Sequence, residues 1–378
     1  MKTERYMTER IKLSCPVIFG LESVVGYEVK RIGGENVVIT DGRVTFEGGP
    51  EMIARANINL ATAERVQIEL GCFKAESFEQ LFQGVKALPL EEFIFRDDAF
   101  PVKGHSLDSK LHSIPDCQKI IKKAAVERLK QSYRTDWFEE TGAVHQLTFN
   151  IIKDTAYIYL DTSGAGLHKR GYRKNSNDAP IKETLASGII DIAKVRLFDK
   201  MCDPMCGSGT FVIESAYKAF GIAVGLRRTF AAEKWQQLDP KIWQQERAAA
   251  MEHIRHDRQF GAKGFDIDSA AIDLTINNAR KAGVGSKISA QEQDIRDFKP
   301  EKGSITICNP PYGERLLDLR QAEELYKIMG EKLKPDKQSP CFIITPHEEF
   351  EKFFGKKADK KRKLYNGMIK CDLYMYYK

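Results

Sequence analysis

One run, MCDPMCGSGTFVIESAYKAF at residues 201–220, joins a short apolar strand to a helix through a glycine-rich turn. Few features restrict a fold as much. Glycines at 207 and 209 let the backbone turn sharply and approach a ligand closely, and a helix that starts there offers it unpaired N–H groups. Strand, glycine turn and helix make the nucleotide-binding corner of an open α/β sheet, in which ligands sit outside the carboxyl ends of the strands. The pattern is not GxGxxG, and no lysine is placed for a Walker loop. An acidic residue ending the next strand should meet ribose hydroxyls, and GFDID, residues 264–268, puts Asp266 there. Asp266 lies 57 residues beyond Gly209, whereas a dinucleotide fold has roughly 20. The excess, residues 221–260, carries Trp235, Trp243 and a helical QQERAAAMEHIRH, and it argues against an NAD site.

Two later strand ends complete a series. SAQEQDIRDF sets Asp294 just after a short apolar stretch, where it could accept from an adenine amino group. SITICNPPYGERL, residues 304–316, then ends a strand in Asn309, Pro310, Pro311 and Tyr312. Proline has no N–H to donate, so the strand stops. An amide, a rigid carbonyl and an aromatic ring are left together at its carboxyl end. Each feature alone has an ordinary structural explanation: a tight turn, or an aspartate capping a helix. Four at four successive strand ends, in this order, describe a site.

The chain of 378 residues suggests two or three domains. Residues 1–71 alternate as β-α-β-β-α-β, with Asp41-Gly42 as a hairpin turn, which is the ferredoxin-like order. As a small α+β unit it could serve simply as a packing or docking module. Residues 72–162 form a second region, with a helix opening at Ser113-Ile-Pro115-Asp and strands at 144–152 and 155–161. Residues 163–180 read as a linker rich in glycine, small polar and basic residues, and 181–378 hold the strand-end series. No apolar run is long enough to cross a membrane, and the N-terminus has no secretory apolar stretch, so a cytoplasmic location is expected. The eight cysteines show neither CxxC nor zinc-finger spacing, and the seven histidines show no metal spacing; His253 and His256 read as surface residues.

Asp203-Pro-Met-Cys206-Gly-Ser-Gly-Thr210, Gly264-Phe-Asp266-Ile-Asp268, Asp294 and Asn309-Pro-Pro-Tyr312 resemble the ordered motifs of class I S-adenosylmethionine-dependent methyltransferases. LHKRGYR, residues 167–173, and APIKETLA, residues 179–186, resemble a narrower group, the THUMP-domain RNA guanine-N2 methyltransferases, including bacterial enzymes acting on large-subunit ribosomal RNA. The resemblance covers nearly the whole chain. It implies a Rossmann-like domain with a seven-stranded, mostly parallel sheet, preceded by a ferredoxin-like plus THUMP α+β RNA-binding region. It also implies S-adenosyl-L-methionine as cofactor. Asp203, Cys206, Gly207, Gly209 and Thr210 would line its methionine part, Asp266 its ribose and Asp294 its adenine. Residues 180–186, with Thr184, would cover it from the linker side. The interruption at Asp199-Lys200 makes the first strand of that sheet short.

The expected reaction is methyl transfer to the N2 amine of a guanosine in 23S ribosomal RNA. An exocyclic amine is a weak nucleophile because its lone pair is delocalised into the ring. The Asn309 amide oxygen and the Pro310 carbonyl would orient it, Pro311 would stiffen the turn, and Tyr312 would stack on a base taken out of its helix. The sulfonium carries the activation, so the expected chemistry calls for no metal. Glu314 is charged and close in sequence, but a helix-start acid explains it equally well. His168, Lys169, Arg170, Tyr172 and Arg173 mix basic and aromatic residues in a form suited to RNA, and Lys360, Lys361, Arg362 and Lys363 form a second basic block. The alternatives are the same reaction on transfer RNA, an N6-adenine DNA methyltransferase, and a non-catalytic RNA-binding assembly factor.

Overall fold

The structure is a computed structural model that describes residues 7, 9–173, 180–312 and 319–378. The amino-terminal half runs β1 (Ile11–Pro16), α1 (Glu22–Arg31), β2 (Glu35–Thr40), β3 (Arg43–Gly48), α2 (Glu51–Asn59), β4 (Gln67–Lys74), α3 (Phe78–Lys86), β5 (Val102–Leu107), α4 (Ile114–Tyr133), β6 (Leu147–Ile152) and β7 (Thr155–Asp161). The hairpin at Asp41-Gly42 forms, with Gly42 at φ 70°. All seven strands join one sheet in the order β2-β3-β1-β4-β7-β6-β5. Within it, β4 pairs with β1 along one edge and with β7 along the other, so the ferredoxin-like and THUMP regions share a continuous sheet. The residue pattern had not distinguished α3 and β5. In β5, Gly104 breaks the side-chain alternation because a Cβ there would come within 2.1 Å of the Phe149 carbonyl oxygen.

The carboxyl-terminal half runs α5 (Glu183–Ile192), β8 (Lys200–Asp203), α6 (Thr210–Phe220), α7 (Pro240–Glu252), β9 (Gly261–Asp266), α8 (Ser269–Ala282), β10 (Ile288–Glu292), β11 (Ile305–Cys308), α9 (Leu319–Leu333), β12 (Cys341–Thr345), α10 (Phe350–Phe354), β13 (Lys360–Asn366) and β14 (Ile369–Tyr376). Its sheet order is β10-β9-β8-β11-β12-β14-β13, and only β14 runs against its neighbours. Strand β8 has four residues and begins at Lys200, so it is short, as the Asp199-Lys200 interruption suggested. In β11 and β12 every residue is buried, the signature of parallel strands covered on both faces.

Between the two sheets the chain is fastened by buried polar groups. Glu214 of α6 accepts from Ser187 Oγ of α5 at 2.6 Å and from Tyr172 Oη at 3.0 Å. It also pairs with the Arg170 guanidinium at 3.3 Å, which in turn donates to the Leu167 and Ala61 carbonyls. Lys218 Nζ bridges Asp191 of α5 and Glu28 of α1. The segment 221–260 fills the remaining gap. Its Glu246 forms a two-point pair with Arg55 of α2, and its Trp235 stacks on the buried His145 ring at 4.4 Å.

Arg170 and Tyr172 are therefore corrected from RNA contacts to core residues, with exposures of 4% and 2%. Arg173 is also engaged, with Glu183 at 3.0 Å and with Thr210 Oγ1 and the Ile181 carbonyl at 3.2 Å each. His168 is half-buried, and burial lowers its pKa. Of the five, Lys169 alone is fully exposed. The composition of this stretch reads as a loop because charge and aromaticity do not reveal that a buried glutamate awaits them on α6.

Candidate active site

The glycine turn, the β9 and β10 ends and the β11 end open onto one cavity of about 790 Å³. Asp203, Cys206, Gly207, Thr210, Asp266, Asp294, Asn309, Pro310, Pro311 and Tyr312 all line it. Gly209 does not. It sits at φ 80°, and a Cβ there would lie 2.8 Å from the Thr275 side chain, so it is required for packing the turn on α8. Thr184 does not line the cavity either. It is fully buried and donates its hydroxyl to Glu64, which corrects its assignment to the cofactor; Pro180 and Ile181 are the linker-side residues that reach the wall.

Asp266 holds the corner together. One carboxylate oxygen accepts from the Gly207 N–H at 2.9 Å and the other from the Asp268 N–H at 3.1 Å. Each oxygen keeps a further lone pair for a ligand hydroxyl. Asp294 caps the short helical turn that follows it, accepting from the Arg296 N–H at 2.8 Å, and its second oxygen meets the Arg296 guanidinium at 2.8 Å. Asp203 is 2% exposed. Its Oδ1 accepts from the Met205 N–H at 3.1 Å, and no lysine or arginine pairs with it among the described residues. Burial, with a smaller contribution from Asp266, raises its pKa well above the usual carboxylate range. Burial likewise raises the Cys206 thiol.

This donor set fits S-adenosylmethionine. A buried acid lacking a cationic partner suits the ammonium of the methionine part, and the Asp266 carboxylate suits a ribose diol. Next to the β8 end, Asn309 and Pro310 follow β11 into the cavity wall, and Tyr312 is 7% exposed. Sequence reading did not assign the rest of that wall: Gln321, Glu324, Leu325 and Ile328 of α9, together with Arg296. The amphipathic pattern of LRQAEELYKIMGEKL was the available signal. Glu314 lies outside the described residues.

The basic block 360–363 forms most of β13, at the sheet edge. Its side chains alternate between faces instead of forming one patch. Lys361 pairs with Glu351 at 2.9 Å, and Arg362 reaches Ser23 Oγ at 3.3 Å. Lysines on an edge strand also discourage pairing with another chain. No helix among the described residues is long and apolar enough to cross a membrane.

Known proteins fit this geometry. A family model described as the RMKL-like methyltransferase domain matches residues 170–375, one described as the RlmL ferredoxin-like domain matches 12–67, and the THUMP domain matches 75–161. YpsC of Bacillus subtilis (strain 168), provisionally named an RNA methyltransferase, is 41% identical over 361 residues, covering 95% of this chain and 94% of its own. The ribosomal RNA large subunit methyltransferase K/L of Psychromonas ingrahamii is 34% identical over 96% of this chain. The present chain spans about half the length of that relative, 49%. The crystal structure of SMU.472, provisionally titled a methyltransferase and complexed with SAH, is 40% identical, with a TM-score of 0.92 over 98% of this chain and 99% of its own. With its strand-end residues gathered around one cavity, and with these matches along its length, this chain belongs to the RMKL-like methyltransferase family, in the form that carries RlmL ferredoxin-like and THUMP domains ahead of the methyltransferase domain.

Proposed function

We propose that the protein uses S-adenosyl-L-methionine to methylate the exocyclic N2 amine of a guanosine in RNA, with 23S ribosomal RNA as the substrate. One observation carries the reading: Asn309 and Pro310 wall the same cavity as the buried Asp203 and the Asp266 corner. The THUMP region, the K/L relatives and the SAH-bound neighbour support it. When bound, the cofactor supplies a methyl group already activated by the sulfonium.

The protein's part is alignment. The Asn309 side-chain oxygen and the Pro310 carbonyl accept the two hydrogens of the target amine, which turns its lone pair towards the Asp203 side of the cavity. Both acceptors also favour the positive charge that develops on nitrogen during transfer. Proline at 310 and 311 fixes the carbonyl direction, so little reorganisation is needed. The Tyr312 ring offers a face to an extruded base and excludes water from the reacting amine. Holding both reactants in line is the main source of acceleration in such a site.

The decisive experiment compares modified nucleosides in ribosomal and transfer RNA from wild-type and deletion cells by mass spectrometry. Loss of N2-methylguanosine from ribosomal RNA is expected. Loss from transfer RNA alone would move the substrate, and loss of N6-methyladenine from DNA would overturn the assignment.

Two further results are expected. Asp266→Asn keeps the side-chain size but removes the charge from its ribose hydrogen bonds and sets an amide NH2 against one of the two backbone N–H groups it now accepts, and should weaken S-adenosylhomocysteine binding by at least about 1.5–3 kcal/mol. Unchanged affinity by calorimetry in the folded variant would remove Asp266 from the site. The second concerns pH. The protonated Asp203 carboxyl is neutral and cannot pair with an ammonium, so cofactor affinity should rise with pH as this raised group ionises. Asp203→Asn should flatten that profile; an identical profile would show that another group titrates.

A further inference from the structure

We propose that a cleft at the far end of the methyltransferase sheet grips the phosphodiester backbone of the RNA substrate, away from the base being methylated. The proposal rests on the RNA reading above and adds a binding site to it.

The cleft has a volume of about 540 Å³. It lies where α6 and α8 end, at Gly221 and Gly283, both left-handed at φ 68° and 79°. Because α6 starts at the glycine turn beside the cofactor cavity and runs back along the sheet, its carboxyl end lies towards the amino ends of the parallel strands. Among the described residues no aspartate or glutamate lines the cleft. Its rim carries Arg227, Arg255, Lys281 and Lys287, all exposed, over an apolar floor that includes Phe220 and Val224. Arg227 donates only to the Lys281 carbonyl, at 3.2 Å, and the Lys287 ammonium stands 5.0 Å over the Phe220 ring. No ion pair engages any of the four among the described residues. Arg170 and Arg247 also border the cleft, but Glu214 and Glu233 already neutralise them.

A purely structural explanation would have these cations complement the helix ends. Each helix carboxyl terminus carries roughly half a negative charge. Two such ends offset about one of the four cations and leave about three uncompensated. Cations with no acid beside them among the described residues, gathered over an apolar floor, suit a chain of phosphates with sugars and bases between them. The separation also fits. Helix α6 has 11 residues and so spans about 16 Å, a distance of several nucleotides along a nucleic-acid strand. The cleft would therefore hold the strand flanking the target. It would also give segment 221–260 a role in substrate binding, because Arg227 and Arg255 belong to it.

The test uses full-length protein with Arg255→Ala, Lys281→Ala and Lys287→Ala combined; Arg227 is left to cap α8. The probe is unmodified 23S ribosomal RNA transcript in filter binding across a salt series. At least tenfold weaker binding is expected, with the log–log salt slope reduced by about 2. Affinity for S-adenosylhomocysteine and the thermal midpoint should stay at wild-type values. If wild-type protein binds the transcript and the triple variant matches it in affinity and slope, the cleft is not an RNA site. If wild-type protein binds neither ribosomal nor transfer RNA, the RNA reading itself fails and the cleft proposal falls with it. A third arm titrates pyrophosphate by calorimetry. Micromolar binding that the triple variant abolishes, with RNA affinity untouched, would assign the cleft to a small phosphate ligand and overturn the proposal.

Discussion

Asn309→Ala is expected to lower kcat on the order of 10²–10³-fold while leaving S-adenosylhomocysteine affinity at the wild-type value, the scale seen when one preorganised polar group is removed from a transition state. The residue follows β11, whose four residues are wholly buried between β8 and β12, so its backbone position is set by the sheet and should survive the substitution. The lost amide oxygen leaves the target amine with the Pro310 carbonyl as its remaining acceptor. Nothing in the Asp203 or Asp266 corner changes, which is why cofactor binding and turnover should separate. Single-turnover methylation together with calorimetry decides it. A variant that turns over normally would end the assignment of Asn309 to the reacting amine. Tyr312 gives a companion measurement: Phe should be mild and Ala severe if the ring face is what acts.

Arg170→Met should destabilise the folded protein by about 3–5 kcal/mol, because it strands the Glu214 carboxylate in the interior. The remaining donors to that carboxylate are the hydroxyls of Tyr172 and Ser187, and neither carries charge. The loss should appear as a lower denaturant midpoint. It should also appear as faster proteolysis near residues 163–173, since the same guanidinium ties the Ala61 and Leu167 carbonyls to α6. Replacing both partners, Arg170→Met with Glu214→Met, should recover most of the stability, because an apolar pair strands no charge. A surface role for Arg170 would give a different result: no stability change and weaker RNA binding.

These two predictions fall on either side of what the chain reveals by itself. Asn309, the glycine turn and Asp266 were legible because their chemistry is local. A proline pair must end a strand, a left-handed glycine must mark a sharp turn, and an acid at a strand end points at whatever the turn admits. The mostly parallel sheet was expected from the family resemblance, and the structure adds that β11 and β12 are buried along their whole length. The β-α-β-β-α-β order of the first 71 residues was readable from alternation and from the Asp41-Gly42 turn. Long-range partners were not. The string LHKRGYR has the composition of an exposed RNA loop, and nothing within it says that Glu214, 44 residues beyond Arg170, takes up that guanidinium and the Tyr172 hydroxyl. Thr184 sits in a motif that the resemblance assigns to the cofactor, yet its hydroxyl is taken by Glu64 across the junction between the sheets. Lys360 to Lys363 form one charge run in sequence and two faces of an edge strand in space. Segment 221–260 looked like an insertion; folded, it fills the gap between the halves and brings Arg227 and Arg255 together with Lys281 and Lys287 over one floor. Backbone geometry and side-chain periodicity act over a few residues, so sequence alone determines strands, turns and the order of the strand-end motifs. Burial and charge pairing depend on residues tens or hundreds of positions apart, so only the tertiary structure decides which cations are neutralised inside the protein and which stand exposed at its surface.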